Sequence, residues 1–281
     1  MHRAQTVSTS TEEETDVKKQ QHERRATRVL AKAPLNDISL GRNMALLPWY
    51  DREFLRLALE YGGIYNAHTH LDRAHTLEDV FLRHYNTTPL EASSLSLSVK
   101  QELVGELHLG PAYIEDNLFT RICHVIRIQV ALGVTRIDTN IDATPDLGPD
   151  GLRAIRVALR VKVAMEKEFE HLNFKMRIAP TPIFGFKPDS KYKRSRWEVF
   201  EEACGKCDYI SGLPEKDDFP KGSNEDKKLD FKNSIRRVIE LGCKLKKEVQ
   251  LHLDQMNIPG ERGTERLLEA LEVLDMPEVP G

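Results

Sequence analysis

The feature of this sequence that most constrains its fold is a repeated alternation of short strand-like runs with amphipathic helical segments. Apolar residues recur at three- and four-residue spacing after each run, which indicates helices. Strands joined by such crossover helices pair in parallel, so the pattern predicts an α/β fold with a parallel sheet and outer helices. A Ser- and Leu-rich stretch at 92–98 is expected instead to be a loop over the sheet end. The predicted strands are residues 64–72, 134–142, 175–181, 209–214 and 248–255.

The length of the chain limits how much of a barrel it can form. It has 281 residues, of which 40% are hydrophobic, enough for a sizeable core. A complete (β/α)8 barrel needs about 250 residues, yet the first predicted strand begins only at residue 64. Residues 41–281 are therefore expected to form part of a barrel. Residues 1–40 are polar and charge-rich and are expected to be a disordered or loosely attached arm.

Composition excludes several classes of function. The formal net charge is −3, from 41 basic and 44 acidic residues, which gives no case for binding nucleic acid or a membrane surface. No 18-residue apolar run and no secretory signal is visible, so a cytoplasmic location is expected by default. The four cysteines are too few for a disulfide framework in a chain of this length and are read as structural.

Two histidines stand at alternate positions near the end of the first predicted strand. His68 and His70 are separated by one residue, so in a strand they share a face with Cα atoms roughly 6.5–7 Å apart. That spacing allows both imidazoles to bind one metal ion. Asp72 follows at the same spacing and could orient the site or balance its charge. His252 lies near the end of the fifth predicted strand, at the end of a βα barrel where such folds gather their chemistry.

Four segments resemble motifs of the amidohydrolase superfamily, most closely its cytosine-deaminase-like branch. Residues 66–72 (Asn-Ala-His-Thr-His-Leu-Asp) resemble the first-strand metal motif, which reads His-x-His-Leu-Asp in that branch. Residues 252–255 (His-Leu-Asp-Gln) resemble the fifth-strand motif His-x-Asp-Glu. Residues 138–142 are similar to the second-strand motif Thr-His-x-Asp, and residues 209–214 to the fourth strand with its Gly and Pro exit. The resemblance covers about residues 49–274 in the expected order.

This resemblance implies a partial TIM (β/α)8 barrel, amidohydrolase-like, containing strands 1–5. It implies that His68, His70 and His252 bind one divalent metal ion, Zn²⁺ or Fe²⁺. The activity it implies is hydrolysis of a C–N bond through a metal-activated water, as in a deaminase or a cyclic amidase. The expected partner is a small molecule, either a nitrogen heterocycle or a cyclic amide.

The resemblance also suggests roles for five further residues. Gln255 stands where the family has a proton-shuttling Glu; an amide cannot exchange protons near neutral pH, so Gln255 is expected to orient the substrate. Asp72 and Asp254 are expected to support the metal ligands. Asp142 is expected to bind substrate. Arg177 either clamps an acidic or carbonyl-rich substrate or faces outward from its strand.

Departures from the family pattern leave alternatives open. The family's sixth-strand His and eighth-strand Asp have no counterpart, so the sequence is expected to be the front part of a longer barrel. Five strands of eight would leave open sheet edges, which favours a homo-oligomer. The alternative function is a truncated or pseudo-enzyme homologue that acts as a non-catalytic scaffold or binding protein. Another parallel-barrel enzyme, such as an aldolase, is disfavoured because no glycine-rich phosphate loop follows a late strand.

Overall fold

The computed structural model describes residues 48–218, 230–255 and 259–273. The predicted arm at residues 1–40 lies outside the described residues. Strands two and three have the predicted bounds, and the other three are shorter than predicted. The strands are β1 (Ile64–Thr69), β2 (Val134–Asp142), β3 (Lys175–Thr181), β4 (Ile210–Gly212) and β5 (Val249–Leu251).

Helices lie between consecutive strands in the described residues, as the apolar periodicity predicted. Short 3-10 turns occur as well, of which Pro214–Asp217 follows β4. No helix in the described parts of the chain is both long and apolar enough to cross a membrane. The α-helices are α1 (Trp49–Glu60), α2 (Asp79–Leu82), α3 (Pro89–Ser94), α4 (Leu97–Leu109), α5 (Glu115–Ala131), α6 (Arg153–Glu168), α7 (Arg196–Lys206), α8 (Phe231–Leu245) and α9 (Gly263–Val273).

All the strand pairs are parallel, which confirms the predicted sheet. β1, β2 and β3 form one sheet in that order, and β4 pairs with β5. The backbone amides of Asp208 and Tyr209 donate to the carbonyl oxygen of Ile178 at 2.8 and 3.3 Å, which joins β4 to β3. The five strands therefore follow one another in chain order. Within the described residues the sheet does not close into a barrel.

The two faces of the sheet differ in chemistry because alternate residues of a strand point in opposite directions. On β2, Ile137 and Ile141 are fully buried in the apolar core under the helices α5 and α6. Asp138, Asn140 and Asp142 alternate with the residues of the helix side and contact polar side chains on the other face. The helix side is therefore the hydrophobic core, and the opposite, inner face carries polar groups.

A β-bulge in β1 decides which of its side chains reach the inner face. Asn66 pairs with Ile137 and Thr69 pairs with Thr139, so Ala67 and His68 together oppose the single residue between those two partners. Before the bulge, the Asn66 side chain bonds to Gln129 of α5 on the helix side, with Nδ2 and Oε1 2.8 Å apart. The extra residue reverses the alternation, so His68 contacts Asn140 on the inner face.

The prediction of a loop at residues 92–98 was wrong. This stretch contains the end of α3 and the beginning of α4. α3 begins with a capping box, in which the Thr88 hydroxyl accepts from the Glu91 amide at 3.3 Å and the Glu91 carboxylate accepts from the Thr88 amide at 2.8 Å. Because α4 packs over the carboxyl ends of the strands, its side chains form part of the site wall.

Candidate functional site

Three histidines meet at the carboxyl end of the sheet. One ring nitrogen from each of His68, His70 and His252 lies within 4.8 Å of the others. The Nε2 atoms of His70 and His252 are 3.3 Å apart, although the two residues are separated by 182 positions in the chain. The ring centroids are 4.8–5.3 Å apart. The structure therefore brings together the three residues that the sequence motifs singled out.

Backbone and side-chain contacts hold these rings in place. The His252 amide donates to the Gly212 carbonyl at 2.9 Å, which continues the β4–β5 pairing and fixes the start of the following loop. The Nδ1 atom of His252 lies 3.2 Å from the Ser211 hydroxyl. The Nδ1 atom of His68 lies 3.2 Å from the side-chain amide of Asn140. Such contacts to the second ring nitrogen orient histidines that bind metals.

The surroundings keep the three imidazoles neutral at pH 7. Burial, reinforced by the charge of Arg73, lowers the pKa of His70 to about 2. Burial, followed by the neighbouring His68, lowers the pKa of His252 to about 4. The pKa of His68 is also lowered, first by burial and then by Arg73. Neutral imidazole is the form that binds metal ions.

These residues fit a divalent metal ion. A tetrahedral ion with metal–nitrogen bonds of 2.0–2.1 Å places its ligand atoms about 3.3 Å apart, close to the His70–His252 separation. A neutral imidazole has only one N–H, and the Nδ1 atom of His70 is buried without a hydrogen-bond partner. A cation among the three nitrogens would satisfy lone pairs that otherwise face one another.

Asp72 lies beside this cluster but outside the group of potential ligands. It is fully buried, and its Oδ2 accepts from the Asp142 amide at 2.9 Å and from the Tyr113 hydroxyl at 3.2 Å. Its Oδ1 has no hydrogen-bond partner. Burial, followed by the charge of Asp142, raises the pKa of Asp72 to about 6.

Asp254 and Gln255 have different environments. The carboxylate of Asp254 binds the first turn of α9: Oδ1 accepts from the Gly263 amide at 2.6 Å, and Oδ2 accepts from the Thr264 hydroxyl at 2.6 Å. Both carboxylate oxygens of Asp254 thus cap the amino end of α9, a role that the sequence did not suggest. The Gln255 side chain lines the cavity above the histidines, and the backbone amide of Gln255 donates to the Glu215 carboxylate at 3.2 Å.

Asp142 belongs to a buried charge network next to the cluster. The Arg73 guanidinium binds both of its oxygens, with Nε 2.9 Å from Oδ2. The Nε2 of His108 lies 3.1 Å from the same Oδ2, and its Nδ1 lies 2.8 Å from Asp146. Burial alone would raise the pKa of Asp142, but Arg73 and His108 hold it below its ordinary value. Asp142 itself does not line the cavity, but it binds Arg73, which does.

Arg177 lies on the inner face, nearer the amino end of β3. It forms ion pairs with Glu248 at 2.5 Å and with Asp138 at 3.4 Å, and its guanidinium stands 4.9 Å from the Tyr209 ring centroid. It does not line the cavity above the histidines. Arg177 is therefore paired with carboxylates of the protein itself.

A cavity of about 520 Å³ lies above His70 and His252. The sequence had not indicated most of its polar residues. Thr181 ends β3, where a strand-end position could have suggested it, and Arg73 follows the first-strand motif directly. Lys100 and Gln101 carried no signal because they follow the stretch 92–98 that was predicted to be a loop and belong to no predicted element. The other lining residues are Thr76, Leu77, Leu103, Val104, Leu107, Ile183, Leu213, Leu253 and Gln255.

Comparisons with known proteins agree with this fold. No protein-family profile matches the sequence. An uncharacterized protein from Haemophilus influenzae is 26% identical over 212 residues, which cover 75% of this chain and 66% of that protein. The structure of 5-methylcytosine deaminase from Klebsiella pneumoniae liganded with 5-fluorocytosine matches with a TM-score of 0.55 and 20% identity, and the complex with phosphonocytosine matches with 0.54 and 20%. Each deaminase match covers 75% of this chain and 44% of the deaminase chain.

The fold is therefore amidohydrolase-like, as the sequence motifs predicted. The chain spans less than half the length of the deaminase and about two thirds of the Haemophilus protein. At this level of identity the likeness concerns the fold alone. What the site does follows from its own geometry.

Proposed function

We propose that this protein is a metal-dependent hydrolase that cleaves a C–N bond in a small cyclic amide, amidine or amino-substituted heterocycle. The observation that carries the proposal is the meeting of three neutral imidazoles at the carboxyl ends of β1 and β5. The proposal includes one bound divalent ion, Zn²⁺ or Fe²⁺, held by His68, His70 and His252. It also includes an architecture in which the five strands are the first five of a (β/α)8 barrel, with residues 41–281 as one domain.

The residues around the histidines have separable roles in this proposal. A bound divalent ion supplies Lewis acidity that makes water nucleophilic at neutral pH. Gln255, on the cavity wall, orients the substrate carbonyl or ring nitrogen through its amide without moving a proton. Asp72 supports the strand end that carries His70, and Asp254 holds the loop after β5 against α9. Apolar walls exclude water from the bound ring.

The two remaining predicted residues take indirect roles. Asp142 would act on substrate through Arg73, whose guanidinium it fixes against the cavity. Arg177 would strengthen the inner face of the sheet through its ion pairs instead of touching substrate. The deaminase with a similar fold binds 5-fluorocytosine, a nitrogen heterocycle, which supports this substrate class. The cytoplasmic location and the homo-oligomer stay predictions from the sequence.

Metal stoichiometry and ammonia release test the proposal together. We expect the full chain, purified with Zn²⁺ or Fe²⁺, to contain about one ion per chain by atomic emission and to release ammonia from a panel of amino-heterocycles. His68→Ala should lose both the ion and the activity, because two imidazoles alone bind a divalent ion weakly. His171→Ala, at an exposed histidine remote from the cluster, is the matched control. A chain that binds no metal would refute the proposal.

A non-catalytic metal-binding scaffold is the second candidate. The observation that favours it is that none of the described residues lining the cavity carries a carboxylate that could move a proton, while Gln255 stands at the position of the family's proton-shuttling Glu. A stoichiometric ion without turnover of any compound in the panel would favour the scaffold over the hydrolase.

A further inference from the structure

The cavity above the histidines has an unbalanced set of charges. Among the residues that the structure describes, its lining includes two cationic side chains, Arg73 and Lys100, and no Asp or Glu. Most of the remaining wall is aliphatic, contributed by α4 and by the loops after β1, β3, β4 and β5. A cavity with apolar walls and unopposed positive charge favours ligands that combine an apolar body with an anionic group.

The two cations are not equivalent. Arg73 is neutralised by Asp142, which it binds with two nitrogen atoms. Lys100 lies in the first turns of α4, is partly buried, and has no ion-pair partner in the parts of the chain that the structure describes. The ammonium of Lys100 is therefore the charge that remains for a ligand.

Two neutral polar side chains in the same wall, Thr181 and Gln101, can also form hydrogen bonds to a ligand. Thr181 is 1% exposed, and its hydroxyl is buried without a hydrogen-bond partner although the residue lines the cavity. An unpaired buried hydroxyl costs free energy, so a ligand that bonds to it gains affinity. Gln101 is 8% exposed, and its Nε2 lies 3.5 Å from Oε1 of Gln255, a distance that leaves both amides available to a ligand.

We propose that the substrate of this site carries a carboxylate, bound by Lys100, in addition to the C–N group presented to the histidines. The inference rests on the proposed hydrolase function and names its substrate class: small cyclic amides or amino-heterocycles with one carboxylate substituent. Apart from the proposed metal ion and Arg73, which Asp142 neutralises, Lys100 is the one cationic side chain among the described lining residues. One ammonium matches a monoanionic substituent, whereas a phosphate dianion at Lys100 would leave one charge uncompensated. The Thr181 hydroxyl and the Gln101 amide bind the neutral polar atoms of the ring.

Matched acid and amide ligands test this assignment by binding alone. The probes are cytosine-5-carboxylic acid against cytosine-5-carboxamide, and hydantoin-5-acetic acid against hydantoin-5-acetamide. Each pair keeps the ring and replaces the carboxylate by a neutral amide of nearly the same shape. Calorimetry on the Zn²⁺-loaded full chain should give dissociation constants roughly ten- to hundredfold lower for the acids, the usual range for a hydrogen bond to a charged group.

Variants then assign the preference to its residues. Lys100→Gln should remove the acid preference while the amides bind as before, and Lys100→Arg should keep it. Lys167→Gln, an exposed lysine on α6, is the control and should change nothing. Thr181→Val should weaken both members of each pair by a similar factor, because its contact is with the ring.

The outcomes separate this inference from the proposed function. Equal affinity of acid and amide for the wild-type chain, or no binding of either acid at millimolar concentration, overturns the carboxylate assignment. Metal-dependent hydrolysis of uncharged rings without an acid preference would keep the hydrolase and refute the carboxylate site. A Lys100-dependent acid preference without turnover would keep the site and refute the hydrolase.

Discussion

Gln255 is the side chain that bears most directly on catalytic competence. It lines the cavity beside His252, but its amide can hold a substrate without accepting a proton. A carboxylate at the same position could take a proton from water and pass it to the leaving nitrogen, a contribution of about 10²- to 10⁴-fold in comparable systems. The side chains have nearly the same shape, so the exchange changes chemistry more than packing.

We therefore predict that Gln255→Glu raises kcat for ammonia release by about a hundredfold in the metal-loaded chain. Steady-state kinetics on the amino-heterocycle panel would measure it, with atomic emission to show unchanged metal content. Gln129→Glu, which adds the same charge on α5, is the matched control and should leave kcat unchanged. An inactive Gln255→Glu variant that still binds one ion would favour the scaffold.

His108 gives the fold a pH dependence of its own. Burial opposes its charge, but the hydrogen bonds to Asp142 and Asp146 outweigh that effect and raise its pKa to about 9, above about 6.5 in the unfolded chain. The folded state binds this proton more tightly. The stabilisation is therefore complete below pH 6.5 and is lost as the pH rises through 9.

We predict that the free energy of unfolding falls by roughly 3 kcal/mol between pH 6.5 and 9. Urea titrations across this range would measure it. His108→Gln should be less stable by about 3–5 kcal/mol at pH 6.5, because two carboxylates then face each other with less compensation, and its profile should be flat. The exposed His171→Gln is the control and should keep the wild-type slope. A flat wild-type profile would contradict the prediction.

At the scale of elements, the sequence was most informative where one period dominates a long segment. β2 and β3 have the predicted bounds because their alternating apolar residues end at clear polar or proline boundaries. The segment at 92–98 was misassigned because its closely spaced serines and leucines match no single period, and the α3 cap at Thr88 and Glu91 was not recognised. Because α4 was not recognised as a helix, Lys100 and Gln101 were not among the predicted site residues.

The bulge in β1 shows that the His-x-His motif does not by itself specify the geometry of the strand that carries it. The His-x-His spacing indicates two rings on one face, and an uninterrupted strand would place Asn66 on that face as well. Instead, Asn66 points to α5 and bonds to Gln129. The register shift follows from strand pairing with β2, which no local pattern in residues 64–72 specifies.

At the scale of the whole molecule, the histidine cluster joins the two ends of the sheet. His70 follows the first strand and His252 the fifth, and within the described residues no hydrogen bonds pair β1 with β5. A metal ion shared by these side chains would cross-link segments 182 residues apart. Binding to the folded state alone stabilises it by mass action, by about 2.7 kcal/mol at a ligand concentration of 100 times Kd.

We predict that Zn²⁺ at this excess raises the melting temperature of the full chain by about 5–10 °C, since 1 kcal/mol corresponds to roughly 2–4 °C for domains of this size. Scanning calorimetry with and without Zn²⁺ would measure the shift, and EDTA should reverse it. His252→Ala should abolish the shift because it removes the proposed ligand that follows β5, whereas His171→Ala should retain it. An undiminished shift in His252→Ala would mean that zinc stabilises the chain at another site, and the cluster would then lose its role as the link between the first and fifth strands.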